Sequence, residues 1–486
     1  MVTKSLLVTA VVVLVAAGAV GAYLAFTPTG PCLPNRASET TTSGLKVSAF
    51  GAVTEYALPG SSVWANGIMA APDGSVWFGE QGVPGVARLV PGSDTLVQYK
   101  WACYGAPQNG GPVSDVWNLV SWNGRVWAAD GNANRLVGLD PNDGSLTYVN
   151  TTSAKFPYLL ATAPDGSLWF TSLTSPAMLG RLSPTLGLTV YAVSGLGGEE
   201  PIQVQFVNST YAYMVALNPY ADNDSGLYSF DPQVAGGAVA VTKLGAGFQL
   251  LFAQALSVGD GRVWIAQHYP SSVVSYDPTT GGWTTYPTSR VSFENTTLPY
   301  FIGVQGGMVW FNEHEGNRIA MLNPSSGTLT EYSESDPPAA SYNGIQNDLT
   351  IATTPAGVWF TSATSNYVGF VNSDLPKNFT ISARGADAAS VAPGGKVTEG
   401  FEVTGSWTVP LSVQVSDSET ITAAPENVML TPSAASIPPS AGIRGPAIFT
   451  VSMEVSPSIK PGRYTVAVTV TDGLLSQTAY VFLTVT

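Results

Sequence analysis

Two histidines occur in the 486-residue chain, His268 and His314. His314 stands in "VWFNEHEGNRIAMLNP", between Glu313 and Glu315. His268 follows "VWIAQ" in a similar context. A neutral imidazole can accept a proton from carbon next to a carbonyl. Neighbouring carboxylates can hold a divalent cation or simply form a solvated loop. Both readings are open from these residues alone: a Glu-His-Glu working site, or a polar turn in which Glu313 serves the strand that it ends.

Other chemistries lack their motifs. There is no G-x-S-x-G nucleophile elbow, no phosphate-binding glycine loop and no Cys/His zinc spacing. The chain carries 19 basic against 33 acidic residues, a net charge of −14. That leaves no basic surface for nucleic acid, whose phosphates must be neutralised by Lys and Arg.

The elements that position the histidines repeat. "GIMAAPDGSVWFGEQGVPGVARLVPGSDTLVQY" from Gly67 returns as "LLATAPDGSLWFTSLTSPAMLGRLSPTLGLTVY" from Leu159. Weaker copies give seven units, anchored by Trp77, Trp127, Trp169, Tyr213, Trp264, Trp310 and Trp359. Each unit alternates apolar and polar residues over four short runs separated by Gly, Pro, Asp and Asn. That pattern predicts four antiparallel strands, A to D, and seven such units predict a β-propeller over residues 47–374. The seventh unit lacks its own strand D, and "GAVTEYALP" from Gly51 is expected to supply it.

In this arrangement the loops after strand B share a face with the loops entering strand A. Glu80, Asp130, His268, Glu313, His314 and Glu315 follow strand B. Glu199, Glu200, Tyr158 and Tyr300 precede or open strand A. All are expected around one mouth, with the carboxylates and tyrosines as ligand-face candidates.

The flanking segments read differently. Leu6–Phe26 is an uncharged run of membrane-spanning length after Lys4, so residues 1–26 are expected to be a single transmembrane helix or a cleaved signal, with the bulk of the chain extracytoplasmic. Residues 27–46, containing "ASETTTSG", are expected to be a flexible linker. Asn150, Asn208, Asn223, Asn295 and Asn378 head glycosylation sequons. Cys32 and Cys103 can form a disulfide outside the cell or remain free thiols. Residues 375–486 are rich in Val, Thr and Ser, with about seven short strands expected. They resemble the immunoglobulin-like modules of prokaryotic surface proteins.

The pattern "PDGSVWF-x-E … G-x-x-x-R-L-x-P … G-x-x-x-x-Y" resembles the streptogramin B lyase (virginiamycin B lyase) family, over roughly Val47 to Asp374. The resemblance implies an all-β, seven-bladed propeller. It also implies an enzyme that opens a cyclic depsipeptide by elimination at its ester, with Mg²⁺, acidic ligands and a histidine base. Carried onto this chain, His314 is the base, His268 protonates or orients the leaving group, and Glu313 or Glu315 holds the Mg²⁺; Ca²⁺ is the other cation such carboxylates can take. Ser172, Ala216 and Ser362 depart from the pattern where Glu80 and Glu313 match it. Two functions are therefore expected: a membrane-anchored surface protein binding a ligand, glycan or protein partner, or an extracytoplasmic carbon–oxygen lyase.

Overall fold

The computed structural model describes residues 35–486 except 61–64, 81–83, 102–115, 219–223, 235, 246, 269, 290–296, 336–347, 363–364, 376, 418–427 and 442–444. Among these residues all regular structure is strand, and no helix is long and apolar enough to cross a membrane. The apolar run 6–26, Cys32, Cys103, Asn223 and Asn295 lie outside the described residues.

The described chain falls into two compact units. One comprises the residues up to Leu45 with Pro59–Phe252, and the other Lys46–Leu58 with Ala253–Thr486. The first holds repeats one to four as antiparallel meanders, and the second holds repeats five to seven. Repeat five runs through strands Ala253–Gly259, Arg262–Gln267, Ser272–Asp277 and Gly282–Pro287. Repeat six runs through Pro299–Gln305, Met308–Glu313, Arg318–Asn323 and Thr328–Ser333. Repeat seven has strands Asp348–Thr354, Gly357–Ser362 and Tyr367–Asn372, and Val53–Ala57 pairs antiparallel with the last of them.

The repeat signature explains the local folding. In "PDGS", Asp73 Oδ1 accepts from the Ser75 backbone N–H at 3.0 Å, and Asp73 Oδ2 pairs with Arg88 at 2.6 Å. Gly74 supplies the left-handed φ of +82° that the turn requires. Asp165, Ser167 and Arg181 repeat the arrangement. The strand B tryptophan is core: Trp127 packs with Leu160, Leu168 and Phe170 of the next repeat, and Trp310 with Val358 and Phe360. Truncating such a side chain to alanine costs about 3–5 kcal/mol.

The segment expected to be a flexible linker is in part a strand. Ser38–Ser43 pairs antiparallel with Thr95–Lys100, the outer strand of repeat one, over six residues. Its threonines favour extended backbone, and an uncovered strand edge offers them a ladder. The composition of a polar stalk and of an edge strand is the same, so the sequence alone did not separate them.

Residues after 377 form two sheets over one core. Phe379–Ala383, Lys396–Gly405, Ala447–Val455 and Val428–Pro432 make one sheet. Leu411–Asp417, Gly462–Thr471 and Leu475–Val485 belong to the other. Phe379, Phe401, Val451, Val468 and Val481 fill the space between. The second sheet continues into repeat six: Leu475–Ala479 pairs antiparallel with Thr328–Tyr332. The sandwich is thus joined edge to edge to a repeat.

Candidate functional site

Every strand A carries a register shift near its start, and in repeat six it falls between Pro299 and Ile302. Such a bulge re-aims side chains. Here it presents the Pro299 carbonyl to His268 Nδ1 at 2.8 Å and turns the Tyr300 ring towards both histidines. Asn312 holds the bulge by accepting from the Phe301 backbone N–H at 2.7 Å. Leu298, just before it, has a left-handed φ of 52° and accepts from the His314 backbone N–H at 3.1 Å.

The two histidines come from the turns that follow strand B in adjacent repeats. Their rings stack with centroids 5.8 Å apart, and Tyr300 lies 5.2 Å from His268 and 5.3 Å from His314. Both imidazoles are buried. Burial, and next the neighbouring His314, push the pKa of His268 down to about 3. A carbonyl can only accept, so Nδ1 of the neutral ring is the donor to Pro299 and the ring lone pair lies on Nε2. His268 is therefore not an imidazolium at neutral pH, which argues against its expected role of protonating a leaving group.

The two expected metal ligands differ in burial. Glu313 is wholly buried, whereas Glu315 is only partly buried, with its backbone N–H on the Thr297 carbonyl. The neighbour of Glu313 is Glu331, on strand D, which was not among the expected residues. Burial first, and the Glu331 charge second, raise the Glu313 pKa well above the usual carboxyl range, against a smaller opposing effect of Arg318. As carboxylates, neither Glu313 oxygen has a donor. Protonated, Glu313 can donate to Glu331. Glu331 accepts from the Ser289 backbone N–H at 2.9 Å and faces Arg318 at 3.8 Å. Gly316 closes over Glu313: a Cβ there would come within 2.7 Å of Oε2.

Two enclosed carboxyls, one already facing a guanidinium, do not make the oxygen shell that Mg²⁺ or Ca²⁺ takes. Among the described residues no group of three or more His, Cys, Asp or Glu is placed to hold a metal ion. The donor set implied by the resemblance is thus not assembled by these residues, and no chemical step is derived through a metal.

The other ligand-face candidates, Glu80, Asp130, Glu199, Glu200 and Tyr158, lie in the first compact unit and are buried. Glu80 accepts from Gln98 at 2.5 Å, and burial raises its pKa despite that bond. Asp130 pairs with Arg135 at 2.8 Å. Glu199 accepts from Tyr228 at 2.8 Å and pairs with Lys243 at 3.2 Å. Glu200 is buried, which raises its pKa, and Tyr158 packs edge-on against Trp117. Asn150, Asn208 and Asn378 are exposed. The signal for Glu331 was present in "GTLTEY": a charged residue at an inward-facing strand D position, where repeat one has Gln98.

No family model matches the chain. Virginiamycin B lyase of Nocardia farcinica is 28% identical over 130 residues, 27% of this chain and 41% of that protein. The match therefore spans less than half of that curated relative's length. A streptogramin B lyase structure superposes with a TM-score of 0.51 at 19% identity, over 66% of this chain and 97% of its own. A catalytically inactive histidine-to-alanine variant of virginiamycin B lyase from Staphylococcus aureus, with quinupristin, gives a TM-score of 0.52 at 18% identity, over 66% of this chain and 98% of its own. At these identities the likeness concerns architecture: the chain carries a virginiamycin B lyase-like propeller fold.

Proposed function

We propose that the protein is a membrane-anchored surface protein that binds a ligand at the paired histidines of repeats five and six, and that residues 375–486 are an immunoglobulin-like module. The observation that carries the binding reading is the cluster of three rings, His268 stacked on His314 with Tyr300 tilted against both, formed from adjacent repeats. By contrast, Glu80, Asp130 and Glu199 are engaged inside their own repeats, and Glu313 faces Glu331. The apolar run Leu6–Phe26 and the exposed sequons at Asn150, Asn208 and Asn378 support display outside the cell. A cyclic depsipeptide is the reasonable first ligand, because the inactive virginiamycin B lyase of similar fold was solved with quinupristin.

One observation favours a second reading, an extracytoplasmic lyase: His268 is held neutral in a fixed tautomer. In such a reaction His314 would take the proton from the carbon next to a carbonyl. A carbon–carbon double bond would form as the ester carbon–oxygen bond breaks, and the carboxylate would leave. His268 would orient the substrate. Ring opening by elimination leaves the mass unchanged.

The test uses the full chain with quinupristin. Calorimetry measures binding, and chromatography coupled to mass spectrometry detects an isomeric opened product. Saturable binding without product, lost in His268→Ala and His314→Ala, supports the binding reading. Time-dependent product lost in the same variants supports the lyase. Neither binding nor product removes the depsipeptide from both.

A further inference from the structure

The C-terminal sandwich is hydrogen-bonded to repeats five and six, the repeats that carry the two histidines. Tyr480, wholly buried, donates its hydroxyl to the Pro287 carbonyl at 2.8 Å, at the end of the last strand of repeat five. Its ring packs edge-on against Tyr286 with centroids 5.4 Å apart. Gln477 donates to Thr330 Oγ1 at 3.1 Å, and Ser333 N–H donates to the Leu474 carbonyl at 2.9 Å, both in repeat six.

Pro287 leads directly into a hydrogen-bonded node at Thr288. The Thr288 hydroxyl donates to the Ser271 carbonyl at 2.9 Å and lies 2.6 Å from the Thr297 hydroxyl. Ser271 closes the turn of His268, since its N–H donates to the His268 carbonyl at 3.0 Å. Thr297 closes the turn of His314, since its carbonyl accepts from the Glu315 and Gly316 N–H groups at 3.0 and 3.1 Å. Thr297 N–H also donates to Ser271 Oγ at 3.0 Å. One buried threonine therefore ties both histidine turns together, and the sandwich holds the residue before it.

We propose that the C-terminal sandwich sets the separation of the two histidines, with Tyr480 as a positioning residue that acts through Thr288. A covalently attached spacer would need none of these buried bonds. The geometry is independent of any ligand; its consequence for binding rests on the reading of the histidine pair as a site.

The chain has two histidines, so full-length protein labelled with ¹³C at histidine Cε1 gives one NMR signal for each. Tyr480→Phe removes the hydroxyl and keeps the ring, and Thr288→Val removes the node and keeps the shape. Both variants are expected to move both signals. The double variant is expected to move them no further than Thr288→Val alone. A matched control, Thr40→Ala in the strand added to repeat one, is expected to leave them in place. If Thr288→Val moves the signals and Tyr480→Phe does not, the sandwich has no part in positioning. If neither moves them, there is no relay. Quinupristin calorimetry on wild type separates the two claims. Moved signals without any binding uphold the positioning and remove the ligand; binding with unmoved signals does the reverse.

Discussion

Glu313 faces Glu331 in repeat six at the positions where Glu80 faces Gln98 in repeat one. Repeat one satisfies its buried carboxylate with an amide donor. Repeat six has a second carboxyl in that place and needs a proton there. Because the folded pKa of Glu313 is raised, this group stabilises the fold least above that pKa and more as pH falls through it. Glu313→Gln restores the amide–carboxylate pair in the opposite sense. It is expected to stabilise the protein by about 1 kcal/mol at pH 8, with less gain at pH 5, read from denaturant midpoints. A loss of stability at pH 8 would show that Glu313 is ionised and separately satisfied.

His268 has the opposite slope. Its folded pKa, about 3, lies below the ordinary 6.5, so the unfolded chain binds the proton more readily. Its cost is absent above pH 6.5 and grows as pH falls, reaching about 2 kcal/mol at pH 5 at 1.36 kcal/mol per unit. The stability of His268→Gln is expected to fall less than wild type over that interval. Parallel curves for the two proteins would mean that His268 is protonated freely in the folded state.

Gly316 lies against Glu313 with no room for a side chain. Gly316→Ala is expected to cost about 1–3 kcal/mol through displacement of the carboxyl or of the turn that carries His314. Thermal melts measure the loss. An unchanged melting temperature would show that the turn yields freely.

Millimolar Mg²⁺ or Ca²⁺ is expected to leave the melting temperature where it is, because a cation that binds only the folded state must raise it by mass action. A rise that Glu313→Gln abolishes would restore the carboxyl pair as a metal site.

Hydrogen exchange separates a stalk from a strand at Ser38–Ser43. Protection comparable with that of Thr95–Lys100 is expected from the six-residue ladder. Exchange at free-peptide rates would return the segment to the linker.

Much of the architecture was legible because it is periodic. The "PDG" turn, the alternating strands and the strand B tryptophan recur, and local chemistry determines each of them. The pairing of the two histidines was also legible, since both occupy the same repeat position. The state of the carboxylates was not. Glu80, Asp130 and Glu313 end strands and read as loop residues, yet all three are buried, and Gly316 closes over Glu313. Glu331 looked like an ordinary polar residue of strand D, because alternation assigns a face but not what already occupies it. The docking of the last strand on repeats five and six depends on Gln477 and Tyr480, whose side chains bond to Thr330 and Pro287, far away in sequence.

The pairing of Val53–Ala57 with Tyr367–Asn372 also governs how the chain must fold. The ends of this ladder are more than 300 residues apart: Asn366 donates its side-chain amide to the Leu58 carbonyl across 308 positions. During synthesis the early strand leaves the ribosome long before its partner exists, and it must wait with an open edge. Late closure of this kind makes folding slow, because the entropy of a very long loop is lost before any contact compensates for it. Repeat six waits as well, for Gln477 lies 147 residues beyond Thr330. Both closures depend on late-made chain, so a truncated product leaves open strand edges, the kind of surface on which chains aggregate and chaperones act.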